Sequence, residues 1–271
     1  MTYFGVLLQF IIPVILLVWL LLYLVSRRGR RIPRILTAWP ARFVLLAHIF
    51  VALVYTTPWD NYLVANRVWW YDPTLVTGIT LGWVPIEEYA FFILQSTLSG
   101  SWLILLAMLL QGKVEQSSIK TPEGSRFFRL SSTTIIFFLW LIAVSILLIG
   151  WQPGNYLALI MVWALPPIML QLGFGADILW QFRGLVLTAI TTSTLYLSIV
   201  DSLAILAGTW TINPEKTLNL YLAGILPIEE FSFFLMTNIL LVFGMILVLA
   251  RPSHSRAPKK LTSLMTMSRR S

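Results

Sequence analysis

Several runs of about 17–25 predominantly apolar residues are each long enough to cross a bilayer core as a helix, and nothing else in the chain constrains its fold as strongly. Hydrocarbon offers no hydrogen-bond partners, so each run must satisfy its backbone groups internally, as a helix does. The chain is 58% hydrophobic and 11% charged over 271 residues. That leaves room for a helical bundle and no separate soluble catalytic domain. Cysteine is absent, which excludes disulfide, thiolate–metal and cysteine-nucleophile chemistry.

Spans are expected near 3–25, 41–57, 85–110, 132–150, 155–172, 184–207 and 223–250. The first carries Arg27 after it instead of before it, so it reads as a permanent span and not a cleaved leader. Basic residues test the count. Arg27 to Arg42, Lys113 to Arg129, Arg183 and Arg251 to Arg270 put seventeen Lys and Arg on one face, against Arg67 and Lys216 on the other. The net charge of +8 therefore reflects topology and not nucleic-acid binding. It predicts an outside N-terminus and a cytoplasmic C-terminus in a cell-membrane protein. Trp59, Trp69, Trp70, Trp83, Trp151 and Trp210 fall at the opposite helix ends, the depth amphipathic indoles favour. The basic, Ser/Pro-rich stretch 251–271 is expected to be disordered, with affinity for anionic lipid.

Within this pattern one segment is written twice. Gly82-Trp83-Val84-Pro85-Ile86-Glu87-Glu88-Tyr89-Ala90-Phe91-Phe92 returns 142 positions later as Gly224-Ile225-Leu226-Pro227-Ile228-Glu229-Glu230-Phe231-Ser232-Phe233-Phe234. Tyr3 and Pro13 are spaced like Tyr156 and Pro166, and Tyr55 and Asp60 like Tyr196 and Asp201. The expected architecture is all-α: a multi-pass transmembrane bundle of about seven spans, built from two parallel three-helix repeats. The units are 1–110, a linker with the fourth span at 111–153, 154–250, and the tail 251–271. An odd-numbered unit plus one extra crossing leaves the copies parallel, so both Glu-Glu pairs share one side of the bilayer.

Carboxylates in a membrane are costly and usually serve a function. Pro85 and Pro227 suit a first helical turn, which would set Glu87, Glu88, Glu229 and Glu230 beside the positive end of a helix dipole. A well-capped helix start accounts for one such copy, whereas duplication with the flanking aromatics favours a site. Acids facing acids titrate as a group and hold transferable protons. Residues 75–84, ahead of the first pair, could fold back and bury it. The candidate acid–base residues are these four glutamates with Asp60 and Asp201, whose roles stay open between proton donor, proton acceptor and partner for Arg67. Phe91, Phe92, Phe233 and Phe234 lie one turn deeper, where ring faces stabilise cations. With Trp83, Tyr89 and Phe231 they form the candidate substrate-binding set. His48 reads as an interhelical hydrogen-bonding group. No metal-ligand spacing occurs, and Gly173-Phe174-Gly175 lacks the third glycine and the strand of a dinucleotide loop. The expected chemistry is redox-neutral, with neither cofactor nor metal.

Pro-Ile-Glu-Glu-Tyr-Ala-Phe-Phe (85–92) and Pro-Ile-Glu-Glu-Phe-Ser-Phe-Phe (227–234) resemble the Pro-x-Glu-Glu/Asp motif of the integral-membrane lycopene cyclases. Pro58-Trp59-Asp60 and Trp70-Tyr71-Asp72-Pro73 are similar to two further segments of that family. The resemblance covers about residues 1–250 and is to the fused form, without an attached phytoene synthase. The second half departs at Asp201, which lacks the preceding Pro-Trp, and by one residue inserted around 210–214.

The resemblance implies conversion of the acyclic ψ-ends of lycopene into β-ionone rings. An acid protonates C2, the C5=C6 bond closes on the C1 cation, and a carboxylate takes the C6 proton. The implied partners are a lipid-soluble carotenoid, membrane lipid and other carotenoid-pathway enzymes. Two alternatives remain at this point. A carotenoid 1,2-hydratase would use the same protonation and admit water. A proton- or cation-coupled transporter would use the membrane carboxylates differently, although the acids cluster at one interface instead of the midplane. A retinal-type receptor is disfavoured, since no lysine lies within a span.

Overall fold

The computed structural model describes residues 1–117, 125–254 and 256. Seven helices are long and apolar enough to cross a membrane: α1 (Tyr3–Arg27), α2 (Ala41–Ala65), α3 (Ile86–Leu109), α4 (Ser125–Ile149), α5 (Asn155–Gln181), α6 (Arg183–Leu206) and α7 (Ile228–Leu249). The chain is thus an all-α multi-pass membrane protein. α3 and α7 lie at the centre, packed on each other and on α2, α6 and their neighbours. α4 leans almost wholly on α5, and Ala143 is its one buried residue. Leu8, Leu46, Phe50, Leu139, Leu187 and Leu195 are among the exposed apolar side chains that meet lipid instead of a core.

Several ends differ from expectation. α2 runs through Pro58 to Ala65 instead of stopping near 57. Around Pro58, the Thr57 hydroxyl donates to the Leu53 carbonyl (2.6 Å) and the Asn61 amide to the Thr57 carbonyl (3.0 Å). α4 begins at Ser125 instead of near 132. Pro85 and Pro227 are not in the first turn; each precedes it with extended ψ (151° and 140°), and the helices start at Ile86 and Ile228. The reason is a pair of two-residue hairpin ladders in which both prolines take part. β2 (Thr80–Leu81) pairs with β3 (Val84–Pro85), and β5 (Tyr221–Leu222) with β6 (Leu226–Pro227). A ladder position that needs no N–H tolerates proline.

The extra residue of the second half lies in its hairpin turn, not at 210–214. Trp69 and Pro73 stand the same distance from Trp210 and Pro214, while Gly82-Trp83 is answered by Ala223-Gly224-Ile225. Between the hairpins and the preceding helices, β1 (Trp69–Tyr71) pairs antiparallel with β4 (Trp210–Ile212). Trp70 meets Thr211 at the middle of this ladder, and the flanking bonds run from the Asp72 N–H to the Thr209 carbonyl (3.2 Å) and from the Asn213 N–H to the Val68 carbonyl (2.9 Å). This ribbon covers the end of the bundle at which α3 and α7 begin.

The other end gathers the basic residues. Arg30 donates to the Leu109 carbonyl (2.6 Å), Arg251 to Thr37 (3.2 Å), and Arg256 forms an ion pair with Asp177. Of the stretch 251–271, expected to be disordered, Arg251–His254 form a helical turn, and residues 255 and 257–271 lie outside the described residues.

Candidate active site

The doubled Glu-Glu pairs split into two kinds of carboxylate, because adjacent residues on a helix point about 100° apart. Glu87 and Glu229 turn toward the loops. Glu87 Oε1 accepts the Thr77 N–H (2.6 Å), and Glu229 Oε1 accepts the Leu218 N–H (2.7 Å). The 75–84 segment does fold back over the first pair: the Ile86 N–H donates to the Ile79 carbonyl (3.0 Å), as the Ile228 N–H does to that of Leu220 (2.9 Å). Both acids are buried, and each keeps one oxygen without a donor.

Glu88 and Glu230 turn inward and line a common cavity with Asp60 and Asp201. All four are buried, each aspartate is within electrostatic reach of both glutamates, and Glu230 of Glu88. No Lys, Arg or His lines the cavity. Asp60 sits in the penultimate turn of α2, pointing inward with no ion pair to Arg67 among the described residues. Asp60 Oδ2 and Asp201 Oδ2 have no donor; the other Asp201 oxygen accepts the Trp210 indole N–H (3.0 Å).

Tyrosines complete the cavity, and they are the part that motif reading missed. Tyr3 and Tyr71 both donate to Glu88 Oε2, at 2.6 and 3.0 Å. Tyr156 donates to Glu230 Oε1 at 2.7 Å. In the sequence Tyr3 and Tyr156 stand out only as repeat markers, and two phenols opening spans at equal spacing are the signal it carries. The Trp69 indole N–H donates to the Tyr71 oxygen (3.0 Å), which orients that hydroxyl toward Glu88. Burial and the neighbouring Glu88 carboxyl push the Tyr71 hydroxyl well above its ordinary value, so it stays a donor. The residue that answers Tyr71 in the other half is Ile212, which lines the cavity but donates nothing. Glu88 thus receives two hydroxyl donors and Glu230 one.

Of the expected substrate-binding residues, Phe91, Phe233 and Phe234 line this cavity. Phe91 is three residues beyond Glu88, so the cavity face follows the i, i+3 row on that helix instead of i, i+4. Phe92 faces a neighbouring cavity. Tyr89 and Phe231 are half-buried and do not line the cavity, Tyr89 donating to the Leu81 carbonyl (2.7 Å). Trp83 is 68% exposed on its hairpin turn.

Trp59, near the end of α2, and Trp69, beyond it in β1, turn inward onto other rings. Trp59 stacks on Trp163 (4.6 Å) and on Phe233 (5.7 Å), and Trp69 tilts against Tyr156 (5.5 Å). Tyr3 and Trp210 pack at 4.9 Å. Ring faces around an acidic, cation-free cavity suit a transient carbocation. His48 Nδ1 donates to the Val44 carbonyl of its own helix (2.7 Å), and its ring also hydrogen-bonds the Gly244 backbone of α7, the interhelical contact expected of it. Among the described residues, no three His, Asp or Glu side chains are placed to hold a metal ion.

No family model matches the chain, and no solved structure matches it. Curated proteins do. A lycopene beta-cyclase of Halobacterium salinarum is 36% identical over 211 residues, covering 77% of this chain and 83% of that protein. A bifunctional lycopene cyclase/phytoene synthase of Podospora anserina is 38% identical over 200 residues, 73% of this chain and 33% of the relative. One from Gibberella fujikuroi is 34% identical over 238 residues, 84% and 40%. The chain therefore spans roughly a third to two fifths of these two bifunctional proteins and most of the Halobacterium one. At that identity and coverage, the chain belongs to the lycopene cyclase family.

Proposed function

We propose that this protein is a lycopene β-cyclase, closing the ψ-ends of lycopene to β-ionone rings by acid–base chemistry without a redox step. The observation that carries the reading is the cavity in which four carboxyl groups, three phenols and a shell of aromatic rings meet with no cation. Like charges so placed cannot all be ionised, so the cavity carries protons that can be moved.

Glu230 is the proton donor in this reading and Glu88 the acceptor. The support is the asymmetry of the hydroxyls: Tyr3 and Tyr71 aim at one Glu88 oxygen, the arrangement an oxygen bearing charge requires, while Tyr156 alone serves Glu230. Glu230 delivers a proton to C2, and the electrons of the C1=C2 bond form the new C2–H bond. The C5=C6 electrons then make the C1–C6 bond and leave the cation at C5. Glu88 takes the C6 proton, and the released pair forms the ring double bond. The proton count balances. Asp60 and Asp201, in the same cavity, return the proton from Glu88 to Glu230. Closure coupled to protonation spares the enzyme a free C1 cation, and excluding water keeps the C5 cation from being captured as an alcohol. Glu87 and Glu229 hold the hairpin segments over the site and do not touch substrate.

Residues 1–110 and 154–250 are two copies of one unit in this account. Its support is the recurrence of whole hydrogen bonds: Glu87–Thr77 with Glu229–Leu218, Tyr3–Glu88 with Tyr156–Glu230, and Tyr55 to the Trp163 carbonyl with Tyr196 to the Phe10 carbonyl. The bundle end rich in Arg and Lys faces the cytoplasm of the cell membrane, which puts the carboxyl cavity near the outer face. The substrate arrives from the lipid phase, from enzymes that build acyclic carotenoids.

The test is lycopene supplied in liposomes to the purified protein with no nucleotide or flavin added. A cyclase gives a product of unchanged mass whose ring double bonds are twisted out of the polyene plane, which blue-shifts the absorption. A product heavier by one water supports the hydratase reading, and unchanged lycopene removes both.

A further inference from the structure

Beside the carboxyl cavity lies a second cavity of about 290 Å³, which none of the roles above uses. Its walls come from α2, α3, α5 and α7, and Phe233 borders both spaces. Ala47 and Val51 of α2 line it and are also exposed on the outer surface, so it opens to lipid on the α2 side. Nearer the carboxyl end, α2 is tied to α5 by the Tyr55 hydroxyl on the Trp163 carbonyl (2.8 Å) and the Trp59 indole on the Leu159 carbonyl (3.2 Å). The opening lies below these ties.

We infer that this chamber holds the polyene arm of the substrate while the reacting end passes Phe233 to the carboxyl groups. The inference rests on the cyclase reading and adds to it an entrance, a path and a direction. The carboxyl cavity, about 40 Å³, is far below the ~300 Å³ at which small-molecule sites begin, whereas the second chamber comes close to it. The Phe233 ring, stacked on Trp59 within 8° of parallel, is the partition that must swing to join the two.

Along α7, Glu230 and Leu241 are eleven residues apart, about 16 Å at 1.5 Å per residue. The chamber therefore covers one part of a C40 chain, and the remainder extends through the opening into lipid.

The chamber is one-sided. His48 and Gln171 line it, while the positions that answer them in the other half are Ala189 and Val18, exposed by 0% and 3% and packed into the core; Leu197, which answers Thr56, lines the carboxyl cavity instead. Substrate enters from the α2–α5 side with one end forward. A bicyclic product then requires release and re-entry of the same molecule.

Labelling tests this directly. The chain has no cysteine, so Ala52→Cys introduces a single thiol in the chamber wall. In liposomes, lycopene at a level that saturates turnover slows modification of that thiol by a bilayer-soluble maleimide about fivefold or more. Leu195→Cys, on the lipid-facing side of α6, labels at the same rate with and without lycopene. Equal rates at Ala52→Cys with and without lycopene overturn the inference. Repeating the measurement in a Glu88→Gln background separates the two readings. Protection retained while cyclisation is lost supports both, and full cyclisation by Glu88→Gln sinks the acid–base assignment while the labelling still decides the chamber. Ala52→Trp, which fills the space, lowers lycopene conversion about tenfold; undiminished conversion by folded Ala52→Trp contradicts the inference as well.

Discussion

At the scale of single residues, the two halves of the carboxyl cavity differ where Tyr71 stands against Ile212. One hydroxyl aimed at a carboxylate contributes about 1.5–3 kcal/mol. Tyr71→Phe is therefore expected to slow cyclisation about tenfold, with substrate protection of the chamber intact. Ile212→Tyr offers the complementary measurement: if the donor and acceptor roles follow hydroxyl count, adding a phenol beside Glu230 slows turnover instead of raising it. Tyr71 also carries a pH signature. Its hydroxyl is raised above the ordinary 10.0 by burial and by Glu88, so in strong alkali the unfolded chain gives up this proton before the folded one does. The unfolded state then binds fewer protons, and stability falls as pH rises through and beyond 10. Thermal unfolding in detergent at about pH 9 and about pH 11 shows a smaller alkaline loss for Tyr71→Phe than for the unaltered chain. An unchanged loss assigns the effect to other groups.

At the scale of elements, the hairpins ahead of α3 and α7 do the positioning. β2 and β3 are joined by the two residues Gly82-Trp83, with glycine first at φ +72°, as a II′-type connection needs. A Cβ there would come within 2.2 Å of Asn61 Oδ1, the atom that accepts the Trp83 N–H at 2.7 Å. Gly224 has the same φ of +72° and open space around it. Gly224→Ala should cost the left-handed penalty alone, about 1–2 kcal/mol. Gly82→Ala should exceed it by about 1 kcal/mol through the lost hydrogen bond, read as a lower unfolding temperature. Equal shifts would mean that Asn61 does not hold the turn.

These hairpins also mark where sequence reading ran out. The apolar runs gave all seven spans, because lipid-facing side chains need only length and hydropathy. Pro-Ile-Glu-Glu was legible as a helix entry, but the prolines' place in the ladders was not, since two-residue strands leave no periodicity. Trp59 read as an interface anchor because indoles usually are. Its stack on Trp163 and Phe233 depends on α5 and α7 arriving beside it, which local sequence does not specify.

At the scale of the molecule, the account is of a near-symmetric shell around an asymmetric path. The four glutamates stand out in the sequence because acids in apolar surroundings demand an explanation. Which two face inward is not legible there, because helical rotation between neighbours decides it, and the start at Ile86 instead of Pro85 sets that rotation. One entrance on the α2–α5 side predicts one ring per visit. With limiting enzyme, the singly cyclised product should rise before the doubly cyclised one; direct appearance of the bicyclic product would mean that both ends are handled without release.

The most direct test of the central claim is the carotenoid content of a lycopene-accumulating host carrying the unaltered chain, Glu88→Gln or Glu230→Gln, each at matched membrane levels. The account predicts ring-bearing isomers of lycopene from the unaltered chain and at least about a hundredfold less from either variant. Cyclised product at undiminished levels from Glu88→Gln or Glu230→Gln would contradict it.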